Sequence, residues 1–165
     1  MAEIYLAGGC FWGLEEYFSR INGVTATTVG YANGKSLDTN YQEVKATDHA
    51  ETVYVIYDEH IVSLYDILRY YFRVIDPLSV NKQGNDVGRQ YRTGIYYTND
   101  NDLPVIERIM SEQESLLGQK LAVEVESLDN YVLAEEYHQD YLKKNPGGYC
   151  HINVDDAYKP LAQAA

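Results

Sequence analysis

The order in which the hydrophobic period changes along the first hundred residues limits the fold of this chain more than any other feature. Period-two, β-branched segments predict strands at 3–7 ("EIYLA"), 24–32 ("VTATTVGYA"), 51–57 ("ETVYVIY") and 92–98 ("RTGIYYT"). Helical spacing lies between them. Leu14, Tyr17, Phe18 and Ile21 share one face of 13–21. Leu64, Ile67, Leu68, Tyr71, Phe72 and Ile75 follow a cap formed by Ser63 with Asp66 three residues on. The order is β-α-β-β-α-β, and its apolar faces are all buried when both helices lie on a sheet. Further on, Pro104 opens a helix that carries Ile106, Ile109, Met110, Gln113 and Leu117 and closes at Gly118. A strand at 121–128 and a helix at 134–142, ended by Asn145-Pro146, complete the pattern. The expected fold is α+β: a two-layer α/β sandwich with a ferredoxin-like core, additional helices, and a coiled C-terminal tail from about 147 to 165. No repeat or linker interrupts it, so one domain over 1–165 is expected.

Charge narrows the possible partners. With 25 acidic against 13 basic residues and a formal charge of −12, the chain has no cationic face for phosphates, which excludes nucleic acid. Nothing approaches the ~20 apolar residues of a membrane span. "MAEIYLAGG" has neither the basic start nor the apolar length of a signal peptide. The expectation is a cytoplasmic protein without a membrane partner. The 17 tyrosines suit sheet faces and half-wet pockets, and most of them are structural.

The chemistry starts at "GGCFWG" (8–13), where glycines surround Cys10, Phe11 and Trp12. A strand ending at Ala7, a glycine turn and a following helix put Cys10 at a helix N-terminus. Free amides and the helix dipole there favour a thiolate over the ordinary thiol of pKa ~8.5. Gly8, Gly9 and Gly13 would admit substrate and backbone, and Phe11 and Trp12 would wall an apolar pocket. A buried, inert cysteine is the competing reading. Cys150 lies in "NPGGYCHIN", either an incidental tail thiol or a thiol on a mobile arm able to reach Cys10. "DHAETV" (48–53) holds His49 and Glu51. Its H-x-E lacks the downstream P-C-x-x-C of a zinc deaminase, so that chemistry is rejected. Glu51 is then either a protonated acid in a partly apolar site or a strand-edge carboxylate facing water. Tyr41, Asp86 and Tyr91 sit in polar loops that could rim a pocket. His60, His138 and His151 have no metal-ligand spacing and read as surface or capping residues.

Taken together, "GGCFWG", "GYANG", "NYQEV", "DHAETV", "KQGNDVGRQYRTGIYY", "AEEYHQDYL" and "KNPGGYC" resemble peptide methionine sulfoxide reductase A, in order, from about residue 4 to about 153. The resemblance implies reduction of the S epimer of methionine sulfoxide, free or in peptides and proteins, to methionine. It assigns the nucleophile to Cys10 and the methyl pocket to Phe11 and Trp12. Glu51 becomes the acid at the sulfoxide oxygen, helped by Tyr41 and Tyr91, with Asp86 as the acidic residue of the "GND" loop. Cys150 becomes the recycling cysteine, thioredoxin the reductant, and no metal or organic cofactor is implied. The family's further C-terminal cysteine has no counterpart, which implies a single Cys10–Cys150 disulfide. The common "TGHAE" stands here as "TDHAE", with Asp48 in place of glycine. The match is closest to the A-type half of fused A–B reductases, so "KPLAQAA" reads as a terminus or a domain edge. Two rival functions use the same residues: a two-cysteine thiol peroxidase, and a non-enzymatic binder of oxidised peptides.

Overall fold

A computed structural model describes residues 1–162. In chain order the elements are β1 (Ala2–Ala7), α1 (Phe11–Ser19), β2 (Val24–Ala32), α2 (Val44–Thr47), β3 (Ala50–Tyr57), α3 (Leu64–Val74), β4 (Lys82–Gln83), β5 (Asp86–Val87), β6 (Gly94–Tyr97), α4 (Leu103–Leu117), β7 (Glu124–Ser127), β8 (Tyr131–Leu133) and α5 (Tyr141–Lys144). Six strands form one sheet in the order β7-β6-β1-β3-β2-β8, and β4 and β5 pair separately. Within it β6-β1-β3-β2 is antiparallel throughout, the expected ferredoxin-like core, and β7 joins β6 in parallel.

Strand alternation decides which side chains meet the helices. Ile4 and Leu6 of β1, Val29 of β2, and Val53 and Val55 of β3 are buried in one core with Leu14 and Phe18 of α1 and Ile67, Leu68 and Phe72 of α3. Tyr5, Ala7, Ala50 and Tyr96 point the other way. There Tyr5 stacks on Tyr54 at 4.5 Å and meets the edge of Tyr131 at 5.0 Å, so tyrosine rings take the place of a second helical layer. The local signals behave as read: Ser63 accepts from the Asp66 amide at 3.1 Å, and Gly118 closes α4 at φ 68°.

Three sequence expectations fail, each for a tertiary reason. The helix expected at 134–142 is broken into a 3-10 turn at Glu136–His138 and the short α5. The Gln139 side-chain amide bridges the N–H and C=O of Val29 at 2.9 Å each, and Asp140 takes a left-handed φ of 51°. The hairpin β4–β5 forms where a polar loop was expected, and edge strand β8 pairs with β2 in a stretch to which no element was assigned. The strand expected at 121–128 is confined to 124–127, with Leu121 and Val123 buried ahead of it. The tail is a docked coil that ends in a 3-10 turn at Val154–Tyr158. Arg20 pairs with Asp155 at 2.6 Å, and the Arg73 guanidinium donates to the carbonyls of Asp156 and Lys159.

Candidate active site

The site forms where β1 ends. Tyr71 of α3, fully buried, donates to the Ala7 carbonyl at 2.5 Å and accepts from the Gly94 amide at 3.2 Å, fixing β1 and β6 side by side. Gly9 then turns the chain at φ +81°, a conformation that favours glycine, and its amide donates to the Tyr91 carbonyl at 3.3 Å. Cys10 follows as the capping residue of α1, with its side chain making no cap bond and only 8% exposed.

Glu51, on β3 opposite Tyr31, reaches under the start of α1 and accepts the Phe11 amide at 3.2 Å. Burial pushes its carboxyl up to about 8; the Phe11 amide pulls the other way and the Asp86 charge adds to the rise. Glu51 is therefore a neutral acid at pH 7, not a strand-edge carboxylate in water. Cys10 departs from expectation. Burial, then the Glu51 charge, raises its thiol far above the ordinary value, against a smaller opposing effect of the Trp12 amide. Desolvation of a thiolate outweighs the helix N-terminus, so Cys10 rests as a thiol.

Tyr41 and Tyr91 complete the polar side. Burial and then the Glu51 charge raise both phenols, so both hydroxyls stay protonated donors. Asp86 accepts from the Tyr149 hydroxyl at 3.0 Å. Asp48 has a left-handed φ of 63°, which accounts for the ease of glycine at this position. Its carboxylate grips Arg89 at 2.5 and 3.0 Å, tying the turn that carries Tyr91 to the turn that leads into Glu51.

The apolar side is larger than the sequence suggested. Phe11 is fully buried, against Tyr31 at 5.6 Å and His138 at 5.2 Å. The Trp12 ring lies flat on Tyr141 at 3.8 Å, and its indole N–H donates to His138 Nδ1 at 2.9 Å. His138 is thus fully buried and not the surface residue expected. Tyr41 packs against the same imidazole at 4.6 Å. Glu135 joins the cluster, accepting from the Tyr31 hydroxyl at 2.7 Å and the Tyr41 amide at 3.1 Å. Tyr31, Glu135, His138, Tyr141 and Tyr149 were missed in the sequence. The available signals were that "GYANG", "AEEYHQDYL" and "KNPGGYC", which contain them, carry the resemblance, and that "AEEYHQDYL" lacks the apolar stripe of a buried helix.

The glycines around Cys10 make room for the tail. A side chain at Gly13 would place its Cβ 2.7 Å from Cys150 Sγ, and one at Gly9 would lie 2.8 Å from His151 Nε2. His151 Nε2 is 3.1 Å from the Gly8 carbonyl, so His151 too is packed and not a surface residue. Cys150 is half-buried, donates to the Ile152 carbonyl at 3.0 Å, and lines a cleft of about 220 Å3 with Glu16, Arg20, Leu142 and Pro146. Both cysteines are free thiols. A separate cleft of about 790 Å3 lies between α4 and the β6–β7 edge and shares no residue with this cluster. Among the described residues no group of three or more His, Cys, Asp or Glu side chains is arranged to hold a metal. None of the described helices is long and apolar enough to cross a membrane.

Comparison with known proteins gives a consistent result. A family model for peptide methionine sulfoxide reductase matches residues 2–165. The chain is similar to the reduced form of Mxr1 from Saccharomyces cerevisiae, with 39% identity, TM-score 0.85, and coverage of 90% of this chain and 87% of that one. It is also similar to methionine sulfoxide reductase A of Corynebacterium diphtheriae, with 33% identity, TM-score 0.79, and coverage of 90% and 77%. The Saccharomyces cerevisiae Mxr1 in complex with Trx2 matches at 29% identity and TM-score 0.61, covering 84% of this chain and 83% of that one.

Proposed function

The chain belongs to the peptide methionine sulfoxide reductase family, and on that premise we propose that Cys10, Glu51 and Cys150 carry its reaction, the reduction of methionine sulfoxide. The observation that carries this assignment is the buried, neutral Glu51 carboxyl beside the Cys10 thiol, with tyrosine hydroxyls near both. A sulfoxide oxygen is a poor leaving group until it is protonated. Glu51 gives it a proton while the Cys10 sulfur attacks the sulfoxide sulfur, and Tyr41 and Tyr91 donate hydrogen bonds to the same oxygen. Such acids contribute ~10²–10⁴-fold. The Cys10 proton returns to Glu51; the protonated oxygen then passes to the Cys10 sulfur as the substrate sulfur–oxygen bond and the transient sulfur–sulfur bond both break, so methionine leaves and Cys10 is left as the sulfenic acid. No charge need exist at the site before substrate arrives, which fits the thiol and the acid both resting neutral.

Phe11 and Trp12 hold the substrate methyl. Burying one methyl yields only about 0.8 kcal/mol, so the aromatic wall orients more than it binds. With methyl, oxygen and line of attack all fixed, one sulfoxide epimer fits, the S form. Asp86 closes the polar rim. The Cys10 sulfenic acid then condenses with the Cys150 thiol to a disulfide and water. Thioredoxin reopens the disulfide, a role supported by the Mxr1 relative in complex with Trx2. A redox-cycled pair of otherwise free thiols suits a reducing compartment, the cytoplasm.

The test is turnover of the separated epimers of a methionine sulfoxide peptide with thioredoxin. Loss of the S epimer alone is expected. Turnover of hydrogen peroxide in preference to either epimer would favour a peroxidase, and peptide binding that survives Cys10→Ser without turnover would favour a binder.

A further inference from the structure

His151 follows Cys150 in the chain and packs against the Gly8–Gly9 turn that precedes Cys10, and the reaction above leaves it without a task. Its Nε2 faces the Gly8 carbonyl at 3.1 Å, and a carbonyl can only accept, so Nε2 carries the ring proton. Nδ1 is then an unprotonated lone pair, buried and without a hydrogen-bond partner among the described residues. The position a Cβ would occupy at Gly13 lies 3.5 Å from this Nδ1 and 2.7 Å from Cys150 Sγ, so ring nitrogen and thiol sulfur flank the same small space. Gly13 lies in the first turn of α1, three residues after Cys10, the capping residue of that helix. Gly9, Gly13 and Gly84 all contact the imidazole residue from sides where a Cβ would meet it.

We propose that His151 is the proton acceptor for Cys150 in the step that closes the disulfide. This rests on the Cys10–Cys150 pairing proposed above. When Cys150 turns from the Ile152 carbonyl toward Cys10, Nδ1 takes the thiol proton. The sulfur electron pair forms the S–S bond, the S–O bond of the sulfenic acid breaks, and the leaving hydroxide recovers the proton as water. Nothing is consumed beyond the sulfenic acid and the thiol. The surroundings keep the ring in its basic form: burial lowers its basicity, and the charge facing it is Asp86 of β5, which acts in the opposite direction. The Gly8–Gly9 turn and Gly13 bring no titratable side chain to it, and the neighbouring β4 residue Gln83 is neutral.

The experiment mixes protein with one equivalent of the S epimer of a methionine sulfoxide peptide, without reductant, and follows methionine release and thiol loss separately. Wild type should release one methionine and lose both thiols, with the second loss slowing as pH falls below the ordinary histidine range. His151→Gln keeps an amide donor for the Gly8 carbonyl but no base. Its methionine release should be unchanged, while disulfide closure slows at least tenfold, becomes flat with pH, and leaves a sulfenic acid open to a selective trapping nucleophile. Closure in His151→Gln at the wild-type rate, or with the wild-type pH dependence, would overturn the proposal. So would equal slowing of both steps, the mark of a packing role. A wild type that releases methionine yet keeps the Cys150 thiol free would overturn the pairing itself, and the proton acceptor with it.

Discussion

At the scale of the residue, the site is governed by desolvation. Glu51 is the clearest case: its burial costs the fold, and it keeps neutral the acid that the proposed reaction uses. An unfolded glutamate titrates near 4.3, whereas burial pushes the folded carboxyl up to about 8. The folded state therefore binds the extra proton across that interval, so stability falls as pH rises from about 4 to about 8 and is level above it. At pH 7 the cost is on the order of 3 kcal/mol. Glu51→Gln should recover much of this, with a gap in denaturation midpoint over wild type that opens between pH 4 and 8. The same variant should lose about 10²–10⁴ in kcat, since an amide cannot protonate the sulfoxide oxygen. In wild type, kcat/KM should decline above pH about 8 as Glu51 ionises. A variant no more stable than wild type at pH 8 would show that the carboxyl is ionised in the fold.

At the scale of the element, two contacts set how the pieces of the site meet. The first is α1 against the tail at Gly13. Replacing a helical glycine by alanine gains about 0.5–1 kcal/mol of helix propensity. The added methyl would lie 2.7 Å from Cys150 Sγ and 3.3 Å from Ile152, so these tail side chains must shift to admit it, which offsets that gain. Gly13→Ala should thus fold with near-normal stability and release methionine at the normal rate, yet close its disulfide much more slowly, as quenched-flow thiol counting would show. The second contact is Asp48 with Arg89, which joins the Glu51 strand to the Tyr91 turn. Arg89 is half exposed, and such pairs contribute about 0–1 kcal/mol. Asp48→Asn tolerates the left-handed backbone and removes the charge, so its kcat should fall by no more than about fivefold. High salt should bring wild type to the level of the variant.

At the scale of the whole molecule, the tail is a structural part of the domain core as well as the carrier of a thiol. Ala157 is buried, Ile152 and Val154 pack on the main core, and the Arg20 and Arg73 contacts hold the end in place. Removing the tail and removing its thiol should therefore give different results. Cys150→Ser should melt like wild type, produce one methionine per chain in a burst, and then stall with thioredoxin as the only reductant. Truncation after Pro146 should lower the melting temperature, because it uncovers the α1 face that these residues protect. Sustained turnover by Cys150→Ser with thioredoxin alone would break the disulfide scheme.

What the sequence determined by itself was whatever depends on neighbours along the chain. Period two and period 3.6 placed four core strands and the helices α1, α3 and α4, and the helix signals at Ser63, Pro104 and Gly118 were read correctly, because each acts within a few residues. The motifs around Cys10, Glu51, Tyr41, Asp86, Tyr91 and Cys150 were legible as a set, and the fold brings them to one end of β1 and β3. Tertiary structure decided the rest. The Gln139 side chain bonds the β2 backbone at Val29 where a helix was expected, and β8 pairs with the same strand at Gly30–Ala32. His138 and Glu135 enter the site through contacts with Trp12, Tyr31 and Tyr41, each about a hundred residues away. The protonation of Cys10 went against its helix position because desolvation depends on everything packed around a group, and no local stretch of sequence contains that information.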